Sequence, residues 1–379
     1  MKKPIPHTLT LSLITVALHM ATAPSLQAVN YTWNNSGTDW NSDASWNSSS
    51  GTFPNSGGDL AIFSSSAANN PHINSSISIS RMTANSSSAS GYTLSSSNAG
   101  VSLTLGSNGT GISSAINYTP TVGIFTIDAP IIFGASGGTT QSVNVNSASS
   151  SVFGNVIING AVTTPNAITL NKSGTGWLTL TSASNAWSGD IQVSDGTLAL
   201  SGAGILGSGN LLMNSGTFDL SGISSGSFNH SASLLGTGSI VGGGKTLGVN
   251  GLNPNTNLAL DDVTLSLSGT SIFGFSNPTF QAGTFDTVIG VDSSVEFSGT
   301  LELNFSGGIY SIGSSAQIFN AQSYTGDFSD IDFTGLDVGQ SATFNPLTGT
   351  VTIIPEANSY ALLFGCGTFL FLFWKRRKN

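Results

Sequence analysis

The chain has 379 residues and a formal net charge of −9, yet charged residues make up only 7% of it, against about 25% in an average domain. Between residues 29 and 354 only Arg81, Lys172 and Lys245 stand against seventeen acids, a net charge of −14. That excludes nucleic acid as a partner, which needs clustered cations to displace its counterions. The one cysteine, Cys366, is close to the carboxyl end, so the body of the chain offers neither a disulfide nor a cysteine-based metal site, and its 47 glycines favour β structure held by backbone ladders.

At the amino end, Lys2 and Lys3 precede an apolar run from Leu9 to Ala23, and Leu26-Gln27-Ala28 offers a small residue before a cut. This order predicts a secretory signal peptide over residues 1–28, cleaved after Ala28 by signal peptidase. Residues 29–70 carry Trp33, Trp40 and Trp46, then Pro54, Asp59 and Phe63. Two readings stay open for the three rings: a cap over the open end of a β structure, or an exposed platform that stacks on sugars. Residues 64–120 are rich in Ser, Asn and Gly; they read either as degenerate rungs or as a flexible, glycosylated segment.

The clearest order lies further on. Gly176-Trp177-Leu178-Thr179-Leu180 superposes on Gly196-Thr197-Leu198-Ala199-Leu200 and on Gly216-Thr217-Phe218-Asp219-Leu220, at an offset of twenty. Looser copies start at Gly299 and Gly349. Apolar residues alternate within each unit, which buries one strand face, and the leading glycine suits a corner with positive φ. A period of about 20 residues is too short for a helix pair and fits one turn of a β-solenoid. The expected fold is therefore all-β, a right-handed parallel β-helix with about 20 residues per rung. The solenoid is expected over residues 71–250 and is clearest over 170–222. Coiling the whole exported part at that period sets an upper bound of about 16 rungs and roughly 80 Å. Leu198 and Leu200 should point inward and Thr197 outward. The alternative is a set of Greek-key sandwiches, which would not need equal spacing.

The stretch Leu170-Asn171-Lys172-Ser173-Gly174-Thr175-Gly176, with Asn185-Ala186-Trp187-Ser188-Gly189 and Ser194-Asp195-Gly196-Thr197-Leu198, resembles the autotransporter-associated β-strand repeat. The resemblance implies a secreted β-helical passenger stalk and names no reaction. Residues 251–354 form a further β region. There Phe285–Gly290 and Val295–Leu303 read as paired strands turning at Ser298-Gly299.

Sites for chemistry are sparse. His72 follows Pro71 in a polar stretch, His230 sits between Asn229 and Ser231, and both read as solvated loop histidines. Arg81, Lys172 and Lys245 share no register position, and Asp261-Asp262 would point to opposite faces of a strand. Asp327, Asp330, Asp332 and Asp337 form a local acid cluster without the spacing of an EF-hand. No catalytic residue, metal ligand or cofactor is expected.

The tail, residues 355–379, combines Pro355-Glu356 with an apolar run from Tyr360 to Trp374 and the basic end Lys375-Arg376-Arg377-Lys378. As a helix the run would measure roughly 22 Å against a hydrocarbon core of about 30 Å, with its cations kept on the cytoplasmic side. It resembles the PEP-CTERM sorting signal at Pro355, Glu356, the apolar run and the Arg-containing end; it departs at Ala357, where that family usually has proline. The resemblance implies processing by an exosortase-type transpeptidase after a transient stay in the inner membrane. Together these features predict an exported, non-catalytic structural or adhesive protein of the cell surface or matrix, with envelope exopolysaccharide as a candidate partner. The alternatives are a carbohydrate-binding surface protein and a β-helical polysaccharide-degrading enzyme.

Overall fold

The computed structural model describes residues 29–64, 68–85, 91–98, 100–106, 115–119, 123–134, 140–146 and 155–356. The expected signal peptide with Ala28, and the tail from Ala357 through Lys375, Arg376, Arg377 and Lys378, lie outside the described residues.

Strand succeeds strand, and most pair in parallel with a strand one coil earlier and one coil later. In a first ladder, Met82 pairs with Ile116, then come Val143, Lys172, Val193, Met213 and Gly236 in turn. In a second, the partners are Tyr92, Phe125, Val156, Leu178, Leu198, Phe218, Ile240 and Leu260. A third begins with Ile77, Leu103, Ile131 and Val162. Parallel neighbours need long connections, and here each connection is the rest of the coil. This is the β-solenoid architecture. Side chains alternate along every strand, as in the buried–intermediate–buried pattern of Leu103–Leu105 and Ile131–Phe133. The inward set forms one continuous apolar core along the stack.

The period departs from a uniform twenty. Trp177, Thr197 and Thr217 are register partners at that spacing. Yet Phe125 lies 33 residues after its partner Tyr92, and Thr300 lies 30 after Thr270. Only the ladder strands must match from coil to coil, so the corners between them can lengthen. The chain therefore makes fewer coils than the upper bound. Parallel pairing also continues past residue 250, as far as Asn304 with Thr334.

Three local expectations need correction. The segments Thr287–Val291, Ser294–Phe297 and Thr300–Phe305 do not pair with one another; each pairs in parallel with a stretch of Asn257–Phe275. Gly299, with φ +75°, turns a coil corner there rather than a hairpin. Thr197 is only 8% exposed, because the strand Thr197–Gly202 is covered on both faces through Leu200. Positive φ occurs at Gly196 but not at Gly176 or Gly216. At Gly216 the need is space, since an added Cβ would sit 2.4 Å from Val193 Cγ1.

The amino end is closed. Trp46–Asn47 pairs antiparallel with the first strand, Asn30–Trp33, shielding an edge that would otherwise template aggregation. Trp33, Trp40 and Trp46 are 1%, 0% and 5% exposed. The Trp33 and Trp40 rings meet Trp46 at 5.0 and 4.8 Å, and Trp46 meets Phe63 at 5.7 Å. All three indole N–H groups donate to backbone carbonyls, of Asn69, Pro54 and Trp40. The rings serve as a cap and cannot stack on a sugar.

Candidate functional site

The repeat motif resolves into structural contacts first. Lys172 points into the first ladder between Val143 and Val193 and is 1% exposed. Its Nζ donates to the carbonyls of Ser173 (2.9 Å), Gly174 (2.6 Å) and, one coil on, Asp195 (3.1 Å). An ammonium has three protons, and the corner supplies three acceptors. Burial pushes the amine down to about 8, against the upward pull of the Asp195 carboxylate. Asn185 works similarly at the next corner. Its Oδ1 accepts Val162 N–H at 2.9 Å and its Nδ2 donates to Ile205 O at 2.8 Å, so one amide clamps three coils.

Beside that clamp the coil corners leave a groove of about 570 Å³, with a second of about 430 Å³ that shares Asn229, His230 and Ser231. Its walls come from neighbouring coils: Thr164, then Asn185–Ser188, Ile205–Ser208 and Phe228–Ser231. Trp187, 3% exposed, lies under Gly207, where an added Cβ would fall 2.6 Å from the indole ring. Ser188, Ser208, Asn229 and Ser231 surround the mouth, and no lining residue is an acid, lysine or arginine.

Sequence reasoning missed His230. It lies within the strand Ser227–Asn253, is 4% exposed, and stacks on Phe228 at 6.1 Å. It is no solvated loop residue. Burial lowers its pKa, partly opposed by a hydrogen bond with the Gly209 backbone, so the ring is neutral at pH 7. The signal was the period-2 alternation: Phe228 and His230 share a face, while Asn229 and Ser231 take the other. His72 also lies in a strand, with Nδ1 2.9 Å from Ser95 Oγ on the next coil.

Three buried polar atoms in this groove wall have no hydrogen-bond partner among the described residues: Thr164 Oγ1, Trp187 Nε1 and His230 Nε2. An indole N–H donates, a neutral imidazole nitrogen accepts when its partner carries the proton, and a hydroxyl does either. Buried polar groups left unpaired cost about 1–3 kcal/mol each.

The three cations of the body stay apart. Met82, not Arg81, is in register with Lys172, and Lys245 lies in a different part of the coil, opposite Val263. Among the described residues no three of His, Cys, Asp and Glu gather as metal ligands, and no helix is long and apolar enough to cross a membrane. Pro355 ends the last strand opposite Gln340, and Glu356 comes next, exposed, with its N–H on Gly339 O at 2.8 Å.

The model of the passenger-associated transport repeat, an autotransporter-associated β-strand repeat, matches residues 170–200, the segment holding Lys172, Asn185 and Trp187. No curated protein and no solved structure matches the chain. The repeat suggests an exported or surface β-helical passenger protein.

Proposed function

We propose that the protein is a non-catalytic stalk of the cell surface or extracellular matrix, exported by its signal peptide and sorted through its tail by an exosortase-type transpeptidase. The parallel ladder, coinciding with the passenger repeat at residues 170–200, supports the stalk. It gives a regular body in which Lys172 and Asn185 hold successive coils together at their corners. The exposed Glu356 at the end of the last strand leaves the Pro355-Glu356 element open to an enzyme that cuts after it. Mass spectrometry of the mature protein tests this. The expected product begins at Val29 and lacks Tyr360–Trp374, while Glu356→Ala leaves uncut precursor in the inner membrane. Mature protein that still carries the apolar run would overturn the sorting reading.

A second reading, carbohydrate binding, is favoured by the groove rather than by the amino-terminal tryptophans. It rests on the three unpartnered polar atoms in an uncharged wall. Retention on purified envelope polysaccharide should fall at least tenfold in Trp187→Phe, which keeps a ring and removes the N–H, and in His230→Leu. Equal retention of wild type and both variants would remove this reading and leave the stalk intact.

A further inference from the structure

The described chain leaves the solenoid through a collar of exposed aliphatic residues. Ile309, Ile312 and Val338 are 76%, 55% and 104% exposed. They come from two separate loops, and hydrogen bonds bring both loops to the end of the last strand. Val338 adjoins Gly339, whose carbonyl accepts the Glu356 N–H. Ile309 adjoins Tyr310, whose carbonyl accepts Gln340 Nε2 at 2.6 Å, and Gln340 is the register partner of Pro355. Ile312 adjoins Gly313, whose N–H donates to the Ile353 carbonyl at 2.8 Å.

Large aliphatic side chains this exposed mark a contact when they cluster. The apolar tail lies only a short step along the chain from the collar. Ala357, Asn358 and Ser359 alone separate Glu356 from the run Tyr360–Trp374 and its basic end. Three extended residues span roughly 10 Å. An apolar run held in a bilayer would therefore keep Glu356, and with it the loops bonded around the last strand, close to the lipid surface.

We propose that Ile309, Ile312 and Val338 form a membrane-contacting collar that dips into the lipid interface while the tail is inserted, and so orients the Pro355–Glu356 junction at the bilayer surface. The proposal rests on the tail being membrane-inserted for sorting. It goes beyond that reading in assigning a lipid contact to the folded domain itself. Leu347 supplies an internal control. It is 80% exposed but sits in the loop joining Gln340–Asn345 to Thr350–Pro355, at the end of that strand pair away from Pro355.

The test uses the full chain in a Cys366→Ser background, with single cysteines from Val338→Cys or Leu347→Cys. Each is labelled with an environment-sensitive fluorophore and reconstituted into phosphatidylethanolamine–phosphatidylglycerol vesicles. The expected result is a blue-shifted emission at position 338, quenched by spin-labelled lipid, with water-like emission at 347. Ile309→Ser combined with Ile312→Ser should reverse much of the shift at 338 without releasing the protein from the vesicles. Protein that floats with vesicles but stays wet at 338 overturns the collar and spares the tail reading. Protein that does not float overturns the tail reading, and the collar with it. A blue shift at 338 without vesicles means that the chain's own tail covers the collar, which also overturns the proposal.

Discussion

Leu198 is the most direct probe of the solenoid register. It is 1% exposed, pairs with Leu178 on one side and Phe218 on the other, and belongs to the column running from Tyr92 to Leu260. Leu198→Ala truncates this side chain to its Cβ and leaves a gap in the column. The general cost of such a truncation is about 2–5 kcal/mol, depending on how far the surroundings collapse. Collapse is restricted here, because backbone bonds to both neighbouring coils hold the strand at a fixed spacing. A loss in the upper half of that range, about 3.5–5 kcal/mol, is therefore expected. Because each coil contacts mainly its neighbours, the damage should be local. Hydrogen exchange read peptide by peptide should show lost protection over the coils holding Leu178, Leu198 and Phe218, with protection kept at Thr300–Phe305. Trp177→Ser is the matched control. Trp177 lies next to Leu178 on the outer face, is 38% exposed, and should change exchange little. Thr197 is a poor control because it is nearly buried. Equal loss from Leu198→Ala and Trp177→Ser, or uniform loss along the chain, would refute the register argument.

Lys172 makes stability depend on pH. Its folded pKa of about 8 lies below the unfolded value of 10.5, so between those values the unfolded chain binds more protons and stability rises with pH. From pH 8 to 9.5 the gain should be about 1.6 kcal/mol in denaturant titrations, and Lys172→Met should abolish that slope. Gly207→Ala would place a Cβ 2.3 Å from Trp187 O, and the overpacking should cost about 1–3 kcal/mol while shifting Trp187 fluorescence. Trp46→Ala should cost about 3–5 kcal/mol and uncover the edge of Asn30–Trp33, which light scattering would detect as self-association.

How much of this was legible in the sequence depended on what each residue signals. Alternation is a local property, so the inward rows at Leu178–Leu180 and Leu198–Leu200 could be read directly, and their equal spacing gave the partners. Where the corners lengthen, as between Tyr92 and Phe125, the strands keep their alternation but nothing repeats at a fixed offset. The partner of a parallel strand is then invisible, because it lies a whole coil away. Turn chemistry adds a real ambiguity. A positive-φ glycine such as Gly299 serves a hairpin or a coil corner equally well, so Ser298-Gly299 suggested antiparallel pairing that the structure does not contain. Burial was misjudged at His230 for the opposite reason. Its polar neighbours Asn229 and Ser231 suggest a loop, whereas its two-residue step from Phe228 sets its face. Exposed features had no such signal. Ile309 and Ile312 stand well apart from Val338 in the chain, in segments without regular alternation, and only the bonds from Gly339, Gln340 and Gly313 gather them around Pro355 and Glu356. In a solenoid, therefore, the core is written locally, whereas the sites are made at corners and ends. There, residues from different coils meet through backbone contacts that one coil's sequence does not encode.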